Sequence, residues 1–161
     1  MRILGIDPGL TKTGFGIIDI NNESLKLIDY GIIKPKRKDK LERRLLTIFN
    51  DMSSIIDKYN PTVVSIEEVF YGKNVKSALL LGQARGAAMI SAASKRITIF
   101  EYSAKKIKQS VTGNGNANKD QVKFMIGSIL NIKNLDIPSD ASDALAIALC
   151  HHQQFRINEL W

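Results

Sequence analysis

The chain has 161 residues, 44% hydrophobic and 24% charged, which suits one domain spanning 1–161 and excludes both a disordered chain and two large lobes. Its apolar runs are broken well short of the roughly 18 residues that a membrane span needs, so neither an anchoring or targeting segment nor a membrane partner is expected. Lys and Arg outnumber Asp and Glu by 23 to 16, a formal net charge of +7, which points either to a phosphate-rich partner such as nucleic acid or to a basic surface kept for solubility.

In chain order, Met1 to Asp7 reads as an apolar strand ending in the turn Pro8-Gly9. Thr13 to Ile20 and Leu25 to Lys34 are the next two strands, with a turn at Asn21-Asn22 between them. From Leu41 to Tyr59 apolar residues recur at three- and four-residue steps, predicting a helix that Pro61 stops. A buried strand, Thr62 to Val69, follows. From Asn74 to about Lys95 the pattern predicts a helix apolar around most of its circumference. Such a helix is either internal or packs on a second copy of the chain; Gly82 and Gly86 allow close approach, and a homodimer interface is expected.

Ile97 to Tyr102 is the fifth strand, and Ser103 caps a short basic helix carrying Lys105, Lys106 and Lys108. Gly113 to Asn118 forms a loop. Helices run from Lys119 to Leu130 and from Ser139 to Phe155, with a linker ending at Pro138. The order predicts the α/β class, a five-stranded mixed sheet flanked by helices. Cys150 has no second cysteine to pair with, which fits a reducing, cytoplasmic setting. His151 and His152 are expected on the last helix as solvent-facing or capping residues, without chemistry.

Three separated segments end in acids. Asp7 closes an apolar strand, either to turn the chain or to hold a ligand at the sheet edge. At the end of Val63-Val64-Ser65-Ile66, Glu67 and Glu68 point to opposite faces, and alternation does not say which one faces a site. Asp140 and Asp143 share a helix face, where they serve the helix dipole, with Ser139 as N-cap, or bind a cation. With no Cys/His cluster to compete, hard oxygen donors suit Mg²⁺, with Mn²⁺ able to substitute. Carboxylates gathered at one edge would repel one another unless divalent ions lay between them.

The segments GIDPG (Gly5 to Gly9), IEEVF (Ile66 to Phe70), LGQARG (Leu81 to Gly86), FEYSAKKIKQSVTGNG (Phe100 to Gly115) and SDASDALAIA (Ser139 to Ala148) together resemble the RuvC family of Holliday-junction resolvases over nearly the whole chain. The resemblance implies an RNase H-like fold and a homodimer that nicks two opposed strands of four-way junction DNA in recombination and repair. It implies an acidic tetrad of Asp7, Glu67, Asp140 and Asp143, choosing Glu67 over Glu68, and two Mg²⁺ ions per site. One ion would activate water and the other would stabilise the leaving 3′ oxygen. It further implies DNA contacts by Lys108 and Lys119, with Lys123 close by, stacking of Phe70 on unpaired bases at the junction centre, and a branch-migration complex of the RuvA and RuvB type as partner. The basic run from Lys34 to Arg44 either tracks a junction arm or is a solvated face.

Three rival readings remain open. Asp7-Pro8-Gly9 through Gly14 also suits a phosphate loop of the actin or sugar-kinase type, although the chain is short for two lobes. A non-catalytic junction-binding module and an RNase H-like nuclease acting on RNA are the others.

Overall fold

Strand alternation divides the apolar residues of a sheet between two layers, and in this chain both layers are covered by helices. A computed structural model of the protein describes residues 1–21, 24–68, 74–132 and 136–159, with side chains as far as 156. The elements are β1 (Arg2–Asp7), β2 (Thr13–Asn21), β3 (Ser24–Ile33), α1 (Leu41–Tyr59), β4 (Val63–Glu67), α2 (Val75–Ala93), β5 (Thr98–Tyr102), α3 (Ala104–Thr112), α4 (Lys119–Ile129) and α5 (Ser139–Glu159). They follow the predicted order.

The sheet runs β3-β2-β1-β4-β5. β1 pairs antiparallel with β2 and parallel with β4; β2–β3 is antiparallel and β4–β5 parallel. This mixed sheet is the RNase H-like arrangement that the family resemblance implies. On one face Ile3, Ile18 and Val63 pack with Ile107 of α3, Ile126 of α4 and Leu145 of α5. On the other, Leu4, Ile6 and Val64 pack with Ile48 and Met52 of α1 and with Ala84, Ala88 and Ala92 of α2. Burying each of the Ile, Leu, Val and Met side chains stabilises the fold by about 1.5–3 kcal/mol, and each alanine by less.

α5 lies directly on the sheet because glycines let it. A Cβ on Gly5 would fall on the Ala144 carbonyl oxygen, and one on Gly14 would fall on the Asp140 carbonyl oxygen. Any side chain at either position would push the helix away.

Two expectations change, and one choice left open is decided. The first intrahelical bond of α5 runs from the Ser142 N–H to the Pro138 carbonyl, so Ser139 is the first helical residue and Pro138, not Ser139, sits at the cap position. His151 is 3% exposed rather than solvent-facing, since α5 is enclosed by the sheet and α3. Its Nδ1 stands 2.8 Å from the Tyr102 hydroxyl and its ring 4.5 Å from that of Phe100. Burial pushes the His151 pKa down, which favours a neutral ring able to accept that hydroxyl's hydrogen bond. Finally, α2 is not internal. Val75, Leu79 and Ile90 are 70%, 65% and 61% exposed, while a Cβ added at Gly82 or Gly86 would meet nothing within 4 Å.

Candidate active site

Sheet register and helix docking together decide which acids meet. Asp7 ends β1 opposite Gly14 of β2. Because the Asp140 backbone occupies the space that a side chain at Gly14 would need, the first turn of α5 is held beside Asp7. On the neighbouring strand, the Ser65 hydroxyl donates to the Ile147 carbonyl of α5 at 3.3 Å. This turns Ser65 towards α5, and alternation turns Glu67 the same way. Asp7, Glu67, Asp140 and Asp143 accordingly line one cavity of about 380 Å³, with Lys108 and Lys119 on its wall. Glu68 is exposed and lies outside it; its backbone N–H bonds to the Tyr102 carbonyl at 2.9 Å.

The electrostatics show how tightly the acids are held. Burial, then repulsion from Asp143, Glu67 and Asp140, pushes the Asp7 carboxyl up to about 7, against a lowering pull from Lys119. Glu67 is also raised, by burial first and by Asp143 second, while Lys119 and Lys108 oppose the shift. Lys119 reaches Asp143 at 3.1 Å, and that hydrogen bond and charge raise its own pKa. Its ammonium is the positive charge that the acids share.

This donor set fits hard divalent cations, since four carboxylates supply only oxygen ligands and their repulsion falls when a cation joins them. Among the described residues no group of three or more acidic, imidazole or thiol side chains stands as a ready-made metal cage. Asp7, Glu67, Asp140 and Asp143 are the residues that would hold such ions, and Lys119 engages Asp143 among them.

Of the other predicted contacts, Lys108 and Lys119 reach the cavity. Lys123 does not line it; its ammonium donates to the Ile137 carbonyl at 2.9 Å. Phe70 lies outside the described residues, as does Val69 at the end of the predicted strand. Within the basic run, Lys34, Lys36, Arg37, Lys38, Lys40 and Arg43 are exposed, whereas Arg44 is half-buried and donates to the Leu10 carbonyl at 3.0 Å.

Arg85 of α2 carries a role that sequence reasoning missed. Its Nε donates to the Glu67 main-chain carbonyl at 3.1 Å, and its Nη2 pairs with Glu101 on β5. An arginine in LGQARG offered the only signal, a charge in the middle of a helix whose one other charged residue, Lys76, lies in its first turn.

The sequence model of the family described as crossover junction endodeoxyribonuclease RuvC matches residues 3–151. A crossover junction endodeoxyribonuclease RuvC from Halothermothrix orenii is 42% identical over 161 residues, covering 100% of this chain and 98% of that protein. The protein of the same name from Legionella pneumophila is 49% identical over 149 residues, with 92% and 85% covered. Among solved structures, Thermus thermophilus RuvC in complex with a Holliday junction substrate superposes with a TM-score of 0.92 at 30% identity, covering 98% of this chain and 96% of that one.

Proposed function

The chain belongs to the RuvC family of crossover junction endodeoxyribonucleases, and from that premise we propose that it resolves four-way DNA junctions using Asp7, Glu67, Asp140 and Asp143 as the ligands of two Mg²⁺ ions, which Mn²⁺ can replace. The observation that carries this reading is the gathering of four acids, distant in sequence, around one cavity walled by lysines. Divalent ions bound there would supply water activation and stabilisation of the leaving oxygen. The chain's own residues do the rest. Lys108 and Lys119 draw the phosphodiester towards the carboxylates by charge. Lys119, which is bonded to Asp143 here, would be free to meet the phosphate if cations occupied the carboxylates. The side chains of Ile107, Val122 and Ile147 line the same cavity and limit water there.

Cutting two opposed strands needs two sites, and the apolar stripe of Val75, Leu79 and Ile90 along the outer side of α2 suits a homodimer contact. A branch-migration complex of the RuvA and RuvB type follows from the family resemblance alone. No helix among the described residues is long and apolar enough to cross a membrane.

The test incubates the protein with a labelled mobile four-way junction and Mg²⁺, beside Asp7→Asn and beside RNA and RNA–DNA duplexes. Paired symmetrical nicks in the junction, lost in Asp7→Asn while binding persists, are expected. Equal cutting by the variant would overturn the assignment, and preferential cutting of RNA would move the activity to another substrate.

A further inference from the structure

α4 separates two cavities. Lys119 and Val122 on one flank line the carboxylate cavity, while Gln121, Phe124 and Met125 on the other line a second cavity of about 420 Å³. Phe124 is 64% exposed, a large ring standing in water beside a hollow. Around it stand three amide side chains whose oxygens are already engaged. The Asn116 N–H donates to Asn114 Oδ1, the Gln121 N–H to Asn118 Oδ1, and the Asn118 N–H to Gln121 Oε1, each at 2.9 Å. A backbone N–H can bond only an acceptor, so these contacts fix all three oxygens. The NH₂ groups of Asn114, Asn118 and Gln121 are left as donors, and none has a partner among the described residues. Asp120 adds one acceptor to the lining.

A flat apolar face, several donors and one anionic acceptor match a nucleobase better than a phosphate. A phosphate would meet the Asp120 charge and gain nothing from Phe124. A base can stack on the ring, offer its carbonyls and ring nitrogens to the amides, and give an exocyclic amine to Asp120. Position supports the match. An α-helix with its side chains is about 10–12 Å across, about the length of three stacked nucleotides at roughly 3.4 Å each. A strand whose phosphate lies over the carboxylates therefore has bases within reach of the far side of α4.

We propose that this second cavity receives one unstacked base of the strand being cut, held on Phe124 and read by the amides of Asn114, Asn118 and Gln121, so that it sets base preference beside the nick. The proposal rests on the junction strand lying in the carboxylate cavity. To test it, 2-aminopurine is placed in turn at each of the three nucleotides on either side of the crossover of a four-way junction. Fluorescence is followed as protein is added without divalent metal.

The parent is expected to change the signal at one position besides any at the junction centre, where Phe70 is expected to stack. Phe124→Ala should lose that change and bind about tenfold more weakly, the loss expected for one stacked base. Phe124→Trp should keep both. With Mg²⁺, Phe124→Ala should also cut a mobile junction with a flattened choice of sequence. Because Phe124 is exposed, its unfolding temperature should match the parent's. Identical fluorescence from parent and Phe124→Ala at every position overturns the proposal. Nicking of the same junction by the parent is scored separately; its absence would remove the nuclease assignment, whereas the fluorescence needs no cutting and decides the pocket.

Discussion

Asp7 is where function and stability oppose each other most directly. Its carboxyl titrates near 7 when folded and near 3.8 in the reference state, so between those values the folded chain holds a proton that the unfolded chain has released. The stabilisation this gives is complete below about pH 4 and is lost as pH rises through 7. Glu67 shifts in the same direction. Without divalent ions the protein should therefore melt lower at pH 8 than at pH 5. Asp7→Asn should recover about 2–4 kcal/mol at pH 8, or roughly 5–10 °C in Tm. Mg²⁺ should raise the parent's Tm and close that gap. Melting curves of both proteins at the two pH values, with and without Mg²⁺, measure this; the two tracking each other under all four conditions would contradict it. The choice of Glu67 over Glu68 belongs to this scale too. Alternation could not make it, because the deciding contact is made by Ser65 with a helix 82 residues further along.

At the level of elements, Arg85 joins α2 to the site by holding the last peptide of β4 from behind. Arg85→Met should leave the Glu67 carbonyl without its charged donor and cost about 1–3 kcal/mol. We expect junction cutting to fall roughly tenfold while junction affinity stays near the parent value, read by single-turnover cleavage beside a binding titration. Equal losses in both would make Arg85 a DNA contact instead. Most elements were legible because local signals agreed: the three- and four-residue period of α1 with Pro61 after it, the Ser103 cap of α3, and the short apolar strands. The predictions that changed concern surroundings. His151 was placed in solvent because its helical position was visible and the Phe100 and Tyr102 rings of β5 were not. α5 begins at Ser139 as expected, but its cap moved to Pro138, because a serine before acids resembles a cap whether or not it accepts the bond. The four acids were visible singly, but their meeting depended on Gly5 and Gly14, whose significance shows only once a helix rests on them.

For the molecule as a whole, the net charge of +7 and the bare α2 stripe both face outward. If the stripe joins two copies, Leu79→Glu should give a monomer by sedimentation velocity and convert paired nicks into single ones. A variant sedimenting with an unchanged dimeric parent would put the contact elsewhere. The seating of α5 on the sheet also bears on the making of the protein. Asp7 and Glu67 leave the ribosome early, yet the acids that complete their cavity ride on α5, well behind them in the chain. Contacts that span most of the chain form late and slowly. A nascent chain that has not yet reached α5 thus lacks half of the carboxylates, and the cavity is complete only after that helix has docked on Gly5 and Gly14.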